Sequence, residues 1–561
     1  MMISRKRGVL AALAGAAALA VALTGCTSSA STTNSASGPT LAVYNGASGA
    51  FVKNFNPLSP TVLSNIQGLI YEPMFFYNNL ASLATKPKPL LGQSFSFNAD
   101  GTVLSVTLKS GVTWSDGKPF TASDVAFTMN LIRTTPALNT SGNTPVAKVV
   151  DPTHVTLTFA HPSFTSAPTI LGTTYIVPEH IWKSVKEPAT YINSSPVGTG
   201  PMEMSSFTNQ SYLLKKNPDF RDAKKLEVGG LRVYSLSGNE AATNKLLAKQ
   251  LDWAGIFVPD VKKVLDKPNL GYTFYGDQQV VLNTCSNTAL GCTGPQTDPV
   301  VRQAMAAAID RNQVNKLAYY GNAVPISATF GLPKRDKAFI APEYASTEPM
   351  SANTAKAESL LEGAGWVKGS DGIYAKNGQK LSMNVLVTSG YTDYIAALQA
   401  ITQQFKQAGI EIQVQQVANQ ENNSAAGLGK FQLQINGIFQ GPAPDPYYVY
   451  DKYFGSENTS AVGKSGNPYA NVSRFSNKTV DAALATAAGT QDQAVKAKAY
   501  ATIQGIITKD LPYIPIIDNR NFAEYSTTQV TGFPTTSNLY AQPAPNVAPD
   551  NEVVLLNLKK K

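Results

Sequence analysis

The residue types that usually carry catalysis are sparse in this chain. Its three histidines, His154, His161 and His180, lack the spacing of a metal-binding pair on a helix. No Gly-x-Ser-x-Gly nucleophile motif is present, and no Gly-x-Gly-x-x-Gly loop follows a strand. We therefore expect no catalytic residues, no metal and no cofactor. A secreted hydrolase with two distant carboxylates is the alternative, because such pairs leave no local motif.

One cysteine near the N-terminus predicts a covalent modification. The basic residues Arg5, Lys6 and Arg7 precede an uncharged, Ala-rich run that ends at Leu23-Thr24-Gly25-Cys26. This layout is typical of an export signal and is short for a transmembrane span, which is the alternative. The last four residues resemble the lipobox of bacterial lipoproteins, which implies lipid attachment at Cys26. Residues 1–25 are then a signal peptide, and the Ser- and Thr-rich residues 26–39 are a flexible tether on the outer face of the cell membrane.

The other two cysteines, Cys285 and Cys292, have six residues between them. Outside the cytoplasm such a pair predicts a disulfide that closes a short loop. A zinc site would need further ligands, and the spacing differs from a redox Cys-x-x-Cys motif.

Length and charge limit the remaining possibilities. With 561 residues the chain is long for one hydrophobic core, so we expect at least two lobes. The formal net charge is +9, and it is +6 beyond the predicted signal. These positive charges are scattered along the sequence rather than clustered, which argues against a nucleic-acid partner.

Short strands and amphipathic helices follow one another from Leu41 onwards. Thr121 and Asp124 have capping-box spacing at the start of a predicted helix. Ile395, Leu398 and Phe405 form one side of another predicted helix, which Gly409 ends before a strand. The pattern indicates an α/β protein without internal repeats.

Six stretches, in order along the chain, resemble the extracellular solute-binding proteins of family 5, which serve importers of the ATP-binding-cassette (ABC) type. The strongest is GVTWSDGKPFTASDVAFTMNLI, residues 111–132. The others are YEPMFFYN (71–78), VGTGPMEM (197–204), DPVVRQAMAAAIDRNQV (298–314), AESLLEGAGW (357–366) and LPYIPI (511–516). Most of these residues are expected to stabilise the fold rather than to bind the ligand.

The resemblance implies a periplasmic-binding-protein-like two-lobed clamp of type II, of the large kind with an extra subdomain. Lobe I would comprise residues 40–280 and 522–561, with the subdomain near 57–195, and lobe II residues 281–521. Crossover strands near 280–283 and 516–521 would form the hinge. Such a protein is not an enzyme: it closes on a solute, and an ABC permease with its ATPase takes the solute up. We expect a monomer.

The ligand implied by the resemblance is an oligopeptide, with one reservation. Peptide-binding members commonly hold the α-amino group with an aspartate after a Gly-Trp pair. Here Ile438 and Pro442 occupy the positions of the tryptophan and that aspartate. Asp445 is a possible substitute, although an aspartate before proline is usually a turn residue.

Cello- or xylo-oligosaccharides are the alternative ligands, because oligosaccharide-binding members resemble the chain at NFNP, residues 54–57. Aromatic rings with amide and acid groups would bind a sugar. A signalling receptor on the same fold is a third possibility. The candidate ligand-binding residues are Asn45, Phe51, Asn54, Trp253, Phe257, Phe439, Gln440, Asp445, Tyr447 and Tyr448.

Overall fold

The structure is a computed structural model that describes residues 38–82, 85–139 and 144–561. The predicted signal peptide, the lipid attachment at Cys26 and nearly all of the predicted tether lie outside these residues. Within the described ranges, no helix is long and apolar enough to cross a membrane.

The strands of the described residues are numbered in chain order. They are β1 (Thr40–Ser48), β2 (Phe75–Phe76), β3 (Lys88–Pro89), β4 (Gly92–Phe97), β5 (Val103–Leu108), β6 (Val146–Asp151), β7 (His154–Thr158), β8 (Met202–Phe207), β9 (Ser211–Lys216), β10 (Gly230–Leu236), β11 (Trp253–Ala254), β12 (Leu270–Thr284), β13 (Val367–Lys368), β14 (Tyr374–Lys376), β15 (Gln379–Lys380), β16 (Ser382–Thr388), β17 (Glu411–Val417), β18 (Leu433–Ile438), β19 (Tyr513–Ser526), β20 (Val530–Thr531) and β21 (Lys559–Lys560).

The α-helices of the same residues are α1 (Ala122–Thr134), α2 (Ser166–Gly172), α3 (Glu179–Trp182), α4 (Asn239–Leu247), α5 (Val261–Val264), α6 (Pro299–Ala308), α7 (Arg311–Ala318), α8 (Thr354–Gly363), α9 (Thr392–Gln407), α10 (Asn419–Leu428), α11 (Tyr447–Phe454), α12 (Lys478–Ala488), α13 (Gln493–Asp510) and α14 (Asp550–Asn557).

One large mixed sheet runs through the molecule in the order β17-β16-β18-β12-β19-β11-β1-β10-β9-β8. Its two central strands, β12 and β19, are long antiparallel neighbours. The end of β12, residues 279–284, pairs with β18, whereas the far end of β19 pairs with β11. Between these ends the β12–β19 register shifts, between Phe274 and Asp277. The two strands therefore connect the two parts of the sheet through an irregular middle segment.

The buried hydrophobic side chains divide in the same way. One cluster, which we call the first-lobe core, combines residues from 41–233 and Trp253 with residues from 530–558. Two further clusters, together the second-lobe core, draw only on residues between 280 and 517. A smaller cluster around residues 242–265 adjoins Phe522 of β19. The chain thus forms two lobes, the first of which is discontinuous, while the exact expected boundaries stay a prediction.

The extra subdomain contains a four-stranded antiparallel sheet in the order β4-β5-β7-β6, with α1 beside it. The Thr121 hydroxyl and the Asp124 carboxylate accept hydrogen bonds from backbone groups at the start of α1, which confirms the predicted capping box. Leu104, Val106 and Leu157 face the first-lobe core from these strands.

Helix α9 positions part of the site described below. Leu398 and Phe405 are buried on its inner side, as the sequence predicts, and Ile395 is partly buried against the same core. The chain then turns at Gly409, whose φ of +76° is unfavourable for other residues and whose Cβ, if present, would lie 2.5 Å from the Tyr374 ring. Strand β17 follows at once and pairs in parallel with β16.

A disulfide joins Cys285 and Cys292, with 5.4 Å between their Cα atoms. It closes a loop directly after β12 and beside the start of α6, in the second lobe.

Candidate ligand-binding site

A cavity of about 1040 Å³ lies between the two lobes, and the middle segments of β12 and β19 contribute to its wall. Its volume is at the upper end of the range for sites that bind small molecules. The first lobe contributes residues 45–46, 79–82 and 255–257, and the second lobe contributes residues 332–335, 391–394 and 439–441.

The sheet topology explains why these segments meet. In the first lobe β1 runs parallel to both β10 and β11, and in the second lobe β16 runs parallel to β17 and β18. Ligand sites in α/β proteins lie at the carboxyl ends of parallel strands. The cavity is lined by residues at or just after those ends, namely Asn45, Asn239, Phe257, Tyr391, Asp393, Tyr394, Phe439 and Gln440.

Four of the ten candidate ligand residues line the cavity, and two of these present aromatic rings. Phe439 is 44% exposed, and its backbone N–H donates to the Tyr453 hydroxyl, which fixes the chain after β18. Phe257 packs edge-on near Tyr319 and at an angle to Phe522, so it touches both lobes. Both residues line the cavity.

The side chains of the other two candidates that line the cavity, Asn45 and Gln440, form hydrogen bonds with other protein side chains. The Asn45 amide donates to the side chains of Ser64, Asn65 and Tyr212. The Gln440 amide donates to Gln279 Oε1 at 3.0 Å, and its oxygen accepts from Arg335 at 2.8 Å. Their polar atoms are thus already engaged with protein partners.

Phe51 and Asn54 do not reach the cavity. Phe51 is buried in the first-lobe core, 5.0 Å from the ring centre of Tyr212. The Asn54 amide donates to the hydroxyls of Ser59 and Thr61, so it stabilises its own turn. Their expected contact with ligand is not supported, because both side chains are taken up by local packing.

Trp253 is also an internal residue. It is fully buried in the first-lobe core, and its indole N–H donates to the backbone oxygen of Pro543 at 2.6 Å. Alternation along the short strand β11 points this ring away from the cavity, whereas Phe257 follows the strand and reaches it.

Asp445 is paired inside the second lobe rather than free to bind an amino group. Its carboxylate accepts from Lys496 Nζ at 2.7 Å, from the Tyr500 hydroxyl at 2.6 Å and from the Tyr447 backbone N–H at 2.9 Å. Asp445 and Lys496 are both nearly inaccessible to solvent. The suggestion that Asp445 replaces the missing amino-group anchor is therefore not supported by this structure.

Tyr447 and Tyr448 pack against each other outside the cavity, with 5.5 Å between their ring centres. The Tyr448 hydroxyl donates to the Thr165 backbone oxygen at 2.9 Å and so joins the second lobe to the subdomain. Two other hydrogen bonds cross the same gap. The Phe164 N–H donates to the Ala488 oxygen at 3.1 Å. The Asn79 amide donates to the Gly441 oxygen at 3.0 Å.

The sequence reasoning missed all five charged residues of the cavity, which are Lys334, Arg335, Asp393, Lys452 and Arg520. Burial raises the pKa of the Asp393 carboxyl to about 6, although backbone N–H groups of Asp393 and Tyr394 oppose the shift. Burial lowers the pKa of Lys452. The carboxyl-end rule for parallel strands would have pointed to Asp393, because this residue begins the helix after β16.

The side chain of Tyr394, next to Asp393, is held by contacts with two other residues that line the cavity. Its hydroxyl accepts from the Gln278 amide at 3.0 Å, and its ring lies edge-on to Tyr391 at 5.9 Å. Gln278 belongs to the middle segment of β12. Asp393 is thus held close to the segment that joins the lobes. Within the described ranges, no group of three or more His, Cys, Asp or Glu residues could hold a metal ion.

Two lobes joined by two long strands, with a lined cavity between them, define a solute-binding clamp of the periplasmic-binding-protein class. The profile of the bacterial extracellular solute-binding proteins, family 5, matches residues 86–461, and the chain belongs to this family. It is accordingly the solute-binding component of an ABC importer, and it works outside the cytoplasm. The role of the family is binding rather than catalysis.

Named relatives agree with this assignment. The glutathione-binding protein GsiB of Shigella flexneri serotype 5b (strain 8401) is 28% identical over 479 residues, which cover 82% of this chain and 86% of GsiB. The mannohexaose-bound periplasmic oligopeptide-binding protein of Thermotoga maritima has a similar fold, with a TM-score of 0.81, 24% identity and coverage of 93% and 98%. AppA of Bacillus subtilis, in complex with a nonapeptide, has a TM-score of 0.75, 20% identity and coverage of 94% and 99%.

Proposed function

We propose that this protein is a lipid-anchored receptor that captures oligopeptides between its lobes and delivers them to an ABC permease. The observation that carries the proposal is the cavity of about 1040 Å³, to which both lobes and both connecting strands contribute. A solute bound there contacts both lobes at once, so it favours the closed arrangement over an open one. In this proposal the crossover segments near 280–283 of β12 and 516–521 of β19 form the hinge.

The peptide assignment is supported by the chemistry of the lining and by two relatives. The cavity combines aromatic rings, amide side chains and charges of both signs, which suits a ligand with a polar backbone and varied side chains. GsiB is named for glutathione, which is itself a peptide, and the AppA complex contains a nonapeptide.

A second candidate, an oligosaccharide, is favoured by one feature of the lining. The rings of Tyr391 and Phe439 are 46% and 44% exposed, and carboxamides of Asn239, Asn519 and Asn521 lie in the same cavity. Such rings pack against the C–H faces of sugars, and amides bind hydroxyl groups. The Thermotoga maritima structure contains mannohexaose.

The ligand is best tested with the full-length protein in detergent. Native mass spectrometry identifies any solute that copurifies, and calorimetry then measures binding to di- to pentapeptides and to β-linked oligosaccharides. We expect binding to peptides only. Tight binding to oligosaccharides with none to peptides would refute the peptide assignment in favour of the second candidate.

The membrane anchor is proposed from Cys26, which lies outside the described residues. The two acyl chains of a diacylglyceryl group on this thiol would give stable attachment. We also propose that the protein acts as a monomer, which light scattering of the purified chain tests directly.

A further inference from the structure

Lysines that are scattered along the sequence meet at one face of the first lobe, where the described chain begins. We call it the tether-exit face and define it by residues 222–229, 266–269 and 559–561. Its acidic residues are Asp222, Glu227 and Asp266. Its six lysines are all exposed, and they are Lys224, Lys225, Lys267, Lys559, Lys560 and Lys561. The face therefore has a formal net charge of +3.

Hydrogen bonds and an ion pair bring the three segments together. Lys559 Nζ lies 3.2 Å from Glu227 Oε1, and the Lys560 backbone N–H donates to Glu227 Oε2 at 2.8 Å. The Lys561 ammonium donates to Asn269 Oδ1 at 3.3 Å. The lysines are thus neighbours in the fold, although Glu227 and Lys560 are 333 positions apart in the sequence.

Most of this positive charge is not neutralised within the face. Lys225 pairs with Asp222 at 2.7 Å, and Lys559 pairs with Glu227. The other four lysines form no salt bridge with any described residue, and the same holds for Asp266. Four unpaired ammonium groups thus stand against one unpaired carboxylate, and this excess favours an anionic partner.

The predicted tether joins the folded chain at this face. The Pro39 oxygen accepts from the N–H groups of Gly229 and Gly230 at 2.9 and 3.3 Å. Residues 26–37, which lie outside the described residues, include no charged residue. A flexible chain of these twelve residues would span about 20 Å on average. A lipid on Cys26 would therefore hold the tether-exit face close to a membrane surface.

The tether-exit face lies at the edge of the large sheet opposite to the cavity. Strands β1, β10 and β11 run in one direction, and β12 shares it because β11 and β12 both pair antiparallel with β19. The face contains the residues that precede β10 and β12, whereas residues at the ends of β1, β10 and β11 line the cavity.

The cavity is also beyond the range of the lysine charges. Thr40 and Asn45 are five positions apart on β1, which is about 17 Å along a strand. Salt at physiological concentration screens charges over about 8 Å. A membrane bound to the face therefore leaves the cavity uncovered, and changes to these lysines do not act on a solute.

We propose that the tether-exit face binds the anionic phospholipid headgroups of the membrane that holds the lipid anchor, so that the cavity points away from the bilayer. The inference rests on the proposed anchor, which brings the face to that surface. A lysine close to an anionic bilayer strengthens binding about fivefold, so an excess of three charges strengthens it about 100-fold.

The test uses the full-length Cys26→Ser protein, which cannot carry the lipid, and vesicles that sediment with any bound protein. One set of vesicles is phosphatidylcholine, and the other contains about one third phosphatidylglycerol, which is anionic. Binding should be at least about 100-fold tighter to the anionic vesicles at about 0.1 M salt. This preference should disappear at about 1 M salt, where the screening length falls from about 10 Å to about 3 Å.

A triple variant assigns the preference to the face. It combines Lys224→Gln, Lys267→Gln and Lys560→Gln, whose ammonium groups are exposed and form no salt bridge among the described residues. Binding to the anionic vesicles should fall about 100-fold, because the face then has no net charge. Binding of solute in the cavity should be unchanged.

The matched control removes the same charge from the second lobe, with Lys406→Gln, Lys478→Gln and Lys498→Gln. These lysines are also exposed and also lack a salt bridge among the described residues. The control should bind the anionic vesicles within about twofold of the unsubstituted form. Residues 1–37 are the same in every variant, so their own affinity for lipid cancels in the comparison.

The outcomes keep the face and the anchor apart. If both triple variants lose binding equally, or neither loses any, the attraction does not come from this face and the proposal is overturned. Equal binding to the two kinds of vesicle overturns it as well. The anchor fails separately, if mass spectrometry of the native protein finds no lipid on Cys26. The vesicle result is independent of that outcome, because the protein used carries no lipid.

Discussion

The substitution Asp445→Ala separates a structural role from a ligand-binding role. In the structure this carboxylate accepts hydrogen bonds from Lys496, Tyr500 and the Tyr447 backbone. Its removal leaves a buried ammonium without a counter-charge and a buried hydroxyl without its acceptor. Loss of one partner of a buried ion pair costs about 3–5 kcal/mol. We therefore expect the free energy of unfolding to fall by about 4 kcal/mol.

Urea unfolding followed by circular dichroism measures this loss, and calorimetry at low temperature measures binding by the protein that remains folded. A double variant, Asp445→Ala with Lys496→Met, removes the unpaired charge and should recover much of the stability. Ligand affinity should stay within about twofold of that of the unmodified protein. Unchanged stability together with lost binding would contradict the structural role and return Asp445 to the ligand site.

Three further predictions concern closure, anchoring and pH. Tyr448→Phe removes the hydrogen bond to Thr165, which contributes about 1 kcal/mol. Ligand affinity should therefore fall about fivefold. An unchanged affinity would show that this contact does not favour closure. Cys26→Ser should move the protein from the membrane fraction to the soluble fraction, and retention would refute the lipid anchor. Burial raises the pKa of Asp550 to about 7. Between about pH 4 and pH 7 this carboxyl is therefore protonated in the folded state and ionised in the unfolded state. The free energy of unfolding consequently falls as the pH rises through that range. Asp550→Asn should reduce that decline and stabilise the protein by about 4 kcal/mol at pH 8, measured by urea unfolding. A decline of the same size in the variant would exclude Asp550 as a contributor.

Local features of the fold were predictable because neighbours in the sequence determine them. The capping box at Thr121 and the end of α9 at Gly409 depend on residues within a few positions. The family resemblance gave the two-lobed clamp, which periodicity alone would not have indicated. The capping box and the end of α9 could be predicted because the contacts that form them are short-range. The two-lobed clamp could be predicted because the whole family shares it.

The ligand-binding residues were harder to predict because distant segments determine which side chains are covered. Trp253 lies two residues before Gly255, which lines the cavity. Its indole N–H nevertheless donates to the backbone oxygen of Pro543, 290 positions away. Asp445 has the carboxylate that an amino-group anchor needs. Lys496 and Tyr500 of α13 already donate hydrogen bonds to that carboxylate. Asp393, by contrast, resembles any acidic residue in a first helical turn until the folded chain buries it.

The discontinuous first-lobe core has a consequence for the order of folding. Chains emerge N-terminus first, so residues 41–233 and Trp253 appear well before residues 530–558, which complete the same core. The second-lobe core needs only residues 280–517 and can be completed earlier. Until α14 arrives, the first lobe exposes the apolar surface that Val553, Val554 and Leu555 will cover. The first lobe therefore completes its core only when the last short helix of the chain is in place.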